Sequence, residues 1–412
     1  MSIRVVIIGG GAAGFFAAIT CGENYPDARV ILLEAGREPL SKVKISGGGR
    51  CNVTHGCFDP SLLVQHYPRG GKALRGAFSR FQAKDTVAWF ESQGVELKTE
   101  ADGRMFPTTD SSETIVQCLL DAAEIAGVKV RTGIMVTEIA FEAGKWLVKG
   151  KSGQIWECDR LLLATGNSPS GWKWAKYCGH QVIPPVPSLF TFQISDPRLQ
   201  DLPGVSVTNV KVRLPLGGKN KLEQSGPLLI THWGISGPAI LKLSAWGARE
   251  LHDVNYKTSL IINWLPQYKL EPLREMLLLV KSQLPRRHII SSCPVPIPSR
   301  LWERLVIASE IQPDTRWAEL PNKQLDRLLH QLLQGEYQIQ GKGVFKDEFV
   351  TCGGVDLKEV DFKTMESKIH PGLYFAGEIL DIDGVTGGFN FQSAWTTGYL
   401  AGQAMGKTIQ IS

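Results

Sequence analysis

The hexapeptide Gly9-Gly10-Gly11-Ala12-Ala13-Gly14 constrains this chain more than any other stretch, because its flanks say what it joins. Ile3–Ile8 reads I-R-V-V-I-I, the short β-branched run of a strand buried on both faces of a parallel sheet. Phe15–Cys21 continues as a helix, and Asp27–Glu34 carries a second strand, R-V-I-L-L-E. Strand, glycine turn, helix and strand in so short a span form a βαβ unit. Gly9 permits the tight turn, Gly11 lets backbone approach a pyrophosphate, and Gly14 allows close helix–strand packing. The phosphates would rest on free N–H groups at the helix N-terminus. Glu34, 20 residues after Gly14, ends the second strand, where a carboxylate accepts hydrogen bonds from ribose hydroxyls. An acid there disfavours a 2′-phosphate, so FAD or NAD fits better than NADP. The plain alternative is a glycine-rich core turn beside an ordinary surface glutamate.

A second signal follows at Lys42–Asn52, K-V-K-I-S-G-G-G-R-C-N. Three consecutive glycines with Ser46, Arg50 and Asn52 let N–H groups and a guanidinium converge on phosphate or flavin polar atoms. The alternative is a flexible loop. Two later patches, L-L-L-A-T-G at Leu161–Gly166 and G-L-Y-F-A-G-E-I-L-D-I-D at Gly372–Asp383, each place a buried strand before a turn of small and acidic residues. The run Gly384–Gln392 then leads into an Ala/Gly-rich helix expected over Ser393–Met405. The N-terminus of that helix suits partial negative charge, such as that of a reduced flavin.

Between these patches the periodicity predicts helices over Ala83–Gln93 and Ser112–Ala126, then strands at Lys129–Val130, Ile134–Phe141 and Trp146–Lys149. After Pro184-Pro185 the character changes, with alternating segments such as Val205–Leu214 and Ser259–Trp264. Helical spacing occupies Leu270–Leu284, Ser299–Ile311 and Lys323–Leu333, and glycine density rises again from about Phe345. The expected architecture is α/β: a discontinuous Rossmann-like FAD-binding domain over 1–186 and 351–412. An inserted β-rich domain spans 187–268 and 335–350, with a small helical subdomain at 269–334.

The stretches K-V-K-I-S-G-G-G-R-C-N, D-G-R-M-F-P (Asp102–Pro107), T-H-W-G-I-S-G-P (Thr231–Pro238), T-C-G-G-V (Thr351–Val355) and G-L-Y-F-A-G-E…G-V-T-G-G-F-N occur in order over nearly the whole chain. In this the chain resembles the BaiN-type, aminoacetone-oxidase-like bacterial flavoproteins, NAD(P)/FAD-dependent oxidoreductases. The resemblance implies FAD, and an inserted domain that is β-barrel-like. With the motifs above, the expected cofactor-binding set is Gly9, Gly11, Ala13, Gly14, Glu34, Ala35, Lys42, Ser46, Gly47, Gly48, Arg50, Cys51, Asn52, Val136, Thr165, Gly166, Gly377, Glu378, Asp383, Gly387, Gly388, Phe389, Asn390, Phe391 and Gln392. One departure is Asn167–Lys176, N-S-P-S-G-W-K-W-A-K, where the family commonly carries a longer glycine- and acid-rich segment.

The reaction expected is hydride transfer at flavin N5 with a small organic substrate, amine or enone, and NAD(P)H as a transient electron donor. His232, in the glycine-containing T-H-W-G-I-S-G-P stretch, is the candidate acid/base; a histidine bonded to backbone in a tight turn is the alternative. Cys51 is a second candidate, although contact with flavin explains its position equally well.

Three other readings stay open. A disulfide reductase is suggested by Cys51 and Cys57, but these have five residues between them. On a helix such a pair would span about 9 Å, beyond disulfide reach, and no second G-x-G-x-x-G supplies a nicotinamide domain. An RNA-modifying or RNA-binding flavoprotein is suggested by Arg286, Arg287, His288, Arg300 and Arg304 with Trp302. Amphipathic helices carry such residues on solvated faces, so nucleic acid is not the favoured partner. FAD could also be structural in a binding module. The balance of 45 Lys+Arg against 40 Asp+Glu is only modestly basic. Eight cysteines are too few for a disulfide scaffold, and neither they nor the eight histidines show metal-ligand spacing, so no metal is expected. With no signal peptide or membrane span read in it, the chain is expected to be cytoplasmic.

Overall fold

The computed structural model describes residues 2–216, 218, 221–343 and 350–407. Phe345, where the glycine density was read to rise, lies outside them. The chain forms two compact units, Met1–Pro185 with Thr351–Ser412, and Val186–Val350.

The first unit is built on a seven-stranded sheet. Its order runs Val360–Asp361, Glu366–Ser367, Leu373–Phe375, Arg160–Leu163, Arg4–Ile8, Arg29–Leu33, Lys129–Arg131. The last five strands are parallel, and Val5, Val6, Ile7, Leu161, Leu162 and Leu163 are almost fully buried, as a sheet covered on both faces requires. From Arg4–Ile8 the chain winds first to Arg29–Leu33 on one side and later to Arg160–Leu163 on the other. Such a reversal opens a crevice at the carboxyl ends of the strands. Leu373–Phe375 returns after the second unit to complete the sheet.

The helix Ala12–Asn24 starts on the glycine turn itself. It packs against Phe389–Met405 so closely that a β-carbon at Gly398 would lie 2.6 Å from the Ala13 carbonyl oxygen, and one at Gly402 2.5 Å from that of Ala17. The second helix begins four residues earlier than the Ser393 start expected. Gly388, at φ +90°, turns the chain, and the Asn390 amide clamps Gly384 through both its N–H (2.8 Å) and its C=O (2.9 Å). Phe389 to Gln392 therefore form the first helical turn.

The second unit is a seven-stranded antiparallel sheet, Gly335–Ile339, Thr258–Asn263, Ser206–Arg213, Glu223–Thr231, Gly234–Ser236, Phe192–Gln193, Gly341–Lys342. Its two edges are consecutive in sequence, joined by Gln340, whose N–H donates to Gln193 C=O at 2.8 Å. The sheet thus curls round on itself like a barrel. Helices Leu270–Gln283, Ser299–Ala308 and Asn322–Gln334 share one apolar core with it: Leu273, Leu301, Trp302 and Leu328 join Val210, Leu228 and Ile262. They are one body with the sheet rather than a subdomain apart, because short amphipathic helices need another element to bury their apolar faces.

Candidate functional site

The crevice gathers residues from four strand ends. Gly9 adopts φ +114°, and a β-carbon there would lie 2.3 Å from the Ala164 carbonyl oxygen. A β-carbon at Gly14 would come to 1.9 Å of the Gly9 oxygen, so only glycine fits either position. Gly11 differs: it caps the helix without a side-chain partner, and nothing lies within 4 Å of where its β-carbon would be. The helix amides thus face open space. Glu34 is pinned by two backbone donors, Gly10 N–H to Oε2 and Gly36 N–H to Oε1, each 2.6 Å. Each carboxylate oxygen keeps acceptor capacity for a ribose hydroxyl.

The second glycine loop is a broken helix. Ser41–Ile45 is helical, Ser46 breaks it at ψ 152°, and Gly47, Gly48 and Gly49 follow with φ of +58°, +70° and +84°. These left-handed residues bend the backbone sharply, and the Arg50 and Cys51 N–H groups turn back onto Ser46 C=O, the latter at 3.0 Å. With its amide turned to satisfy both groups, Asn52 donates to Thr54 C=O (3.0 Å) and accepts from Gly388 N–H (2.9 Å). It thereby ties this loop to the start of the Phe389–Met405 helix. Lys42 bridges Glu378 (2.7 Å) and Asn167 (3.0 Å), and Glu378 also accepts from Thr351 N–H at 3.0 Å. Gly377 N–H donates to Thr397 Oγ1 at 2.9 Å, and a β-carbon at Gly377 would press on Ala13 at 2.8 Å.

Several expected ligands are committed to the protein. Arg50 pairs with Glu100 (2.7 Å) and Asp110 (3.4 Å) and lies 4.0 Å over the Phe106 ring, rather than turning its guanidinium into the loop. Asp383 is fully buried against Arg69, Nε to Oδ1 2.5 Å, so its charge is spent on that cation. Gln392 is fully buried, accepting from Thr54 (2.6 Å) and Thr86 (3.0 Å) and donating to Thr396 (3.1 Å). Phe391 stacks on Trp395 at 5.7 Å. Val136 begins a strand of a separate antiparallel sheet, and Ala35 is exposed beside Glu34.

Arg69, Thr54 and Thr86 carried no sequence signal, since each meets its partner across more than 300 residues. The same holds for His55 and His66, which stack on Phe389 at 4.7 and 4.2 Å. His55 also lies beside Gly387, 3.5 Å from where a β-carbon there would be.

Cys51 sits at φ +60° and is fully buried, and burial pushes its thiol up to about 12. It is neutral at physiological pH, and too weak an acid to share protons readily there. All eight cysteines are free. Cys51 and Cys57 flank a short strand, Thr54–His55, not the helix assumed in weighing a disulfide between them. His232 lies in the second unit, exposed with Trp233 at the tip of the hairpin joining Glu223–Thr231 to Gly234–Ser236. The divergent segment forms the helix Pro169–Tyr177, burying Trp172 and Trp174. In the second unit Trp302 is fully buried, donating to Ile289 C=O at 2.8 Å, and Arg300 and Arg304 are held by Asp201. That stretch presents no exposed aromatic at Trp302 for stacking a base.

The residues fit FAD on three counts. The open helix start at Gly11 suits a pyrophosphate, the pinned Glu34 suits a ribose, and Thr165 Oγ1, buried at the end of Arg160–Leu163, has no hydrogen-bond partner among the described residues. Among those residues no cluster of three or more His, Cys, Asp or Glu is placed to hold a metal, and no helix is long and apolar enough to cross a membrane.

A family profile described as "HI0933-like protein Rossmann domain" matches residues 3–404. The ribosomal RNA dihydrouridine synthase of Escherichia coli (strain K12) is 32% identical over 411 residues, 97% of this chain and 96% of that protein. The 3-dehydro-bile acid delta(4,6)-reductase of Clostridium scindens is 30% identical over 409 residues, 97% and 98% of the two chains. Among solved structures, the 3-ketosteroid-delta4-(5alpha)-dehydrogenase of Rhodococcus jostii RHA1 shares the fold, with a TM-score of 0.51 at 14% identity over 98% of this chain and 97% of that one.

Proposed function

Because this chain belongs to the HI0933-like family of FAD-dependent oxidoreductases, we propose that it reduces a carbon–carbon double bond conjugated to a carbonyl, and that the substrate is a uracil ring in RNA. The observation that carries the reaction class is what two relatives of nearly equal similarity have in common. A dihydrouridine synthase saturates C5=C6 of uridine, which is conjugated to the C4 carbonyl. A 3-dehydro-bile acid delta(4,6)-reductase saturates double bonds conjugated to a 3-ketone. Bound and reduced, FAD would supply the hydride chemistry that saturating such a system needs at its β-carbon, with a proton required at the α-carbon.

This chain's residues would bind the cofactor through the Gly11 helix start, Glu34 and the Gly47–Gly49 loop. The proton has to come from an acid. A buried thiol with its pKa near 12 makes Cys51 a poor donor, so His232 is the residue proposed for that role. NAD(P)H is proposed as a transient electron donor, because the sequence carries one dinucleotide fingerprint.

The choice of RNA rests on charge. Residues 186–350 carry 20 Lys+Arg against 15 Asp+Glu, and the remainder of the chain carries 25 against 25. The entire basic excess therefore lies in the inserted unit. The test is to incubate the flavin-loaded protein with NADH or NADPH and an in vitro transcript of ribosomal RNA, then digest and weigh the nucleosides. Gain of two hydrogens on a uridine supports the proposal. Reoxidation of the reduced flavin by a 3-oxo-Δ4 steroid, with untouched RNA, would favour the second reading, a steroid enone reductase, which the 30% identity to the bile acid enzyme supports.

A further inference from the structure

Within the inserted unit, two short segments lie side by side. Arg287 C=O accepts from Trp317 N–H at 3.0 Å, Thr315 C=O accepts from Ile289 N–H at 3.1 Å, and Pro285 C=O accepts from Ala318 N–H at 3.1 Å. His288 and Arg316 pair antiparallel between them. The result is a turn at 285–288 bridged to the start of the short 3-10 helix Trp317–Glu319, a bridged ribbon of loop on which Arg286, Arg287, His288 and Arg316 are all exposed. Beneath it Ile289, Trp302 and Trp317 are fully buried, the two indoles stacked with centroids 6.4 Å apart. Each indole N–H is anchored, Trp302 on Ile289 C=O at 2.8 Å and Trp317 on Ser292 Oγ at 2.7 Å. Lys281, from the preceding helix, donates to Leu320 C=O at 2.6 Å and fastens the far end.

The charge on this ribbon is uncompensated. Among the described residues no ion pair is formed by Arg286, Arg287 or Arg316. Nearby, Arg304 pairs with the Asp201 carboxylate, Arg327 with Glu310 and Arg274 with Asp326, while Arg300 donates to the Asp201 C=O and forms no ion pair among the described residues. Two acids flank the ribbon. Glu319 accepts from the Arg316 backbone N–H at 3.2 Å, and Asp314 is exposed. Three guanidiniums without ion pairs on one hydrogen-bonded base suit a row of phosphates, since each can take two phosphate oxygens in its fork and the backbone beneath is already held by the bonds above.

We infer that the Arg286–His288 and Arg316 ribbon is a docking surface for the phosphate backbone of the RNA substrate, separate from the residues that hold the cofactor. The inference rests on the RNA reading above and adds the place where the RNA is gripped. Guanidiniums that neutralise phosphates release counterions, so binding here weakens steeply with salt.

The experiment compares the flavin-loaded wild type, an R286A/R287A/R316A variant and a control, K84A/K129A/K151A, drawn from exposed lysines of the cofactor-binding unit. The probe is an in vitro transcript of ribosomal RNA, titrated at several salt concentrations, with flavin absorbance per mole of protein reporting folding. The ribbon variant is expected to bind about 100-fold more weakly at 0.1 M salt and to lose about 2 units from the log–log salt slope, while the control changes neither. Wild-type binding retained in full by the ribbon variant overturns the ribbon alone. Equal losses in the ribbon and control variants overturn it too, since charge anywhere would then serve. A wild type with no salt-dependent RNA binding overturns the RNA reading, and the ribbon with it.

Discussion

The two units of this protein reach a packed interior by opposite means. The cofactor-binding unit holds 33 of the 43 glycines, and its key approaches are backbone on backbone: Gly14 against Gly9, Gly398 against Ala13, Gly402 against Ala17. The inserted unit holds 10 glycines and fills its core with large side chains, among them Trp264, Trp302, Trp317 and Tyr337. The first arrangement brings main-chain N–H groups to a ligand and tolerates no added methyl group. The second makes a stiff body whose surface can carry charge, and there the basic excess resides. One unit gathers backbone amides at a crevice; the other carries the excess of basic side chains.

Truncation in the inserted unit should have the largest effect on stability. Trp302→Ala empties a fully buried indole site and is expected to cost about 3–5 kcal/mol in denaturant unfolding, with flavin still bound at low temperature. Loss of the flavin along with the fold would blur the contrast between the units. Arg69→Met leaves the buried Asp383 carboxylate without its cation and is expected to cost about 3–5 kcal/mol; the double change with Asp383→Asn should recover much of that. Gly14→Ala adds a single methyl group 1.9 Å from a carbonyl oxygen. It should cost about 3 kcal/mol by overpacking and release most of the flavin, read as the ratio of flavin to protein absorbance. A variant that keeps its flavin would show that the turn can yield.

A smaller effect concerns pH. His180, bonded to Glu359 (3.1 Å) and Ser367 (2.9 Å), is lowered from its usual 6.5 because burial outweighs the attraction of Glu359, and His370 adds repulsion. With the folded value below the unfolded one, this site costs nothing while both states are neutral, above 6.5. Stability falls as pH drops below 6.5, where the unfolded chain takes up the proton first, until the folded value is passed. Thermal melts at pH 7.5 and 5.5 should therefore differ more for the wild type than for His180→Gln. The smallest stability change is expected for His232→Ala, within about 0.5 kcal/mol for an exposed hairpin tip, but with a fall in turnover at full flavin content. Unchanged turnover would remove His232 from the mechanism.

The sequence alone determined the βαβ unit, the glycine roles at Gly9, Gly11 and Gly14, the place of Glu34 and the return of the last parallel strand at Leu373. These depend on short-range periodicity and on backbone conformations that glycine alone adopts, so local pattern suffices. Local pattern did not show how the motif is braced. Asp383, Asn390 and Gln392 stand in a motif that reads as ligand contacts, and the fold bonds them to Arg69, Gly384 and the Thr54–Thr86–Thr396 cluster. Arg50 looks like a phosphate ligand and is held by Glu100. Trp302 looks like a stacking platform beside its arginines and is buried beneath them.

What only the tertiary structure decided was which polar side chains are free. A buried charge or amide must find a partner wherever the fold supplies one, often hundreds of residues away, and a charge on a rigid surface ribbon keeps its valence for something else. The sequence reading grouped Arg286 and Arg287 with Arg300 and Arg304 without distinction, and did not single out Arg316. Folding paired Arg304 with the Asp201 carboxylate, turned Arg300 to the Asp201 C=O, and left Arg286, Arg287 and Arg316 without an ion pair among the described residues.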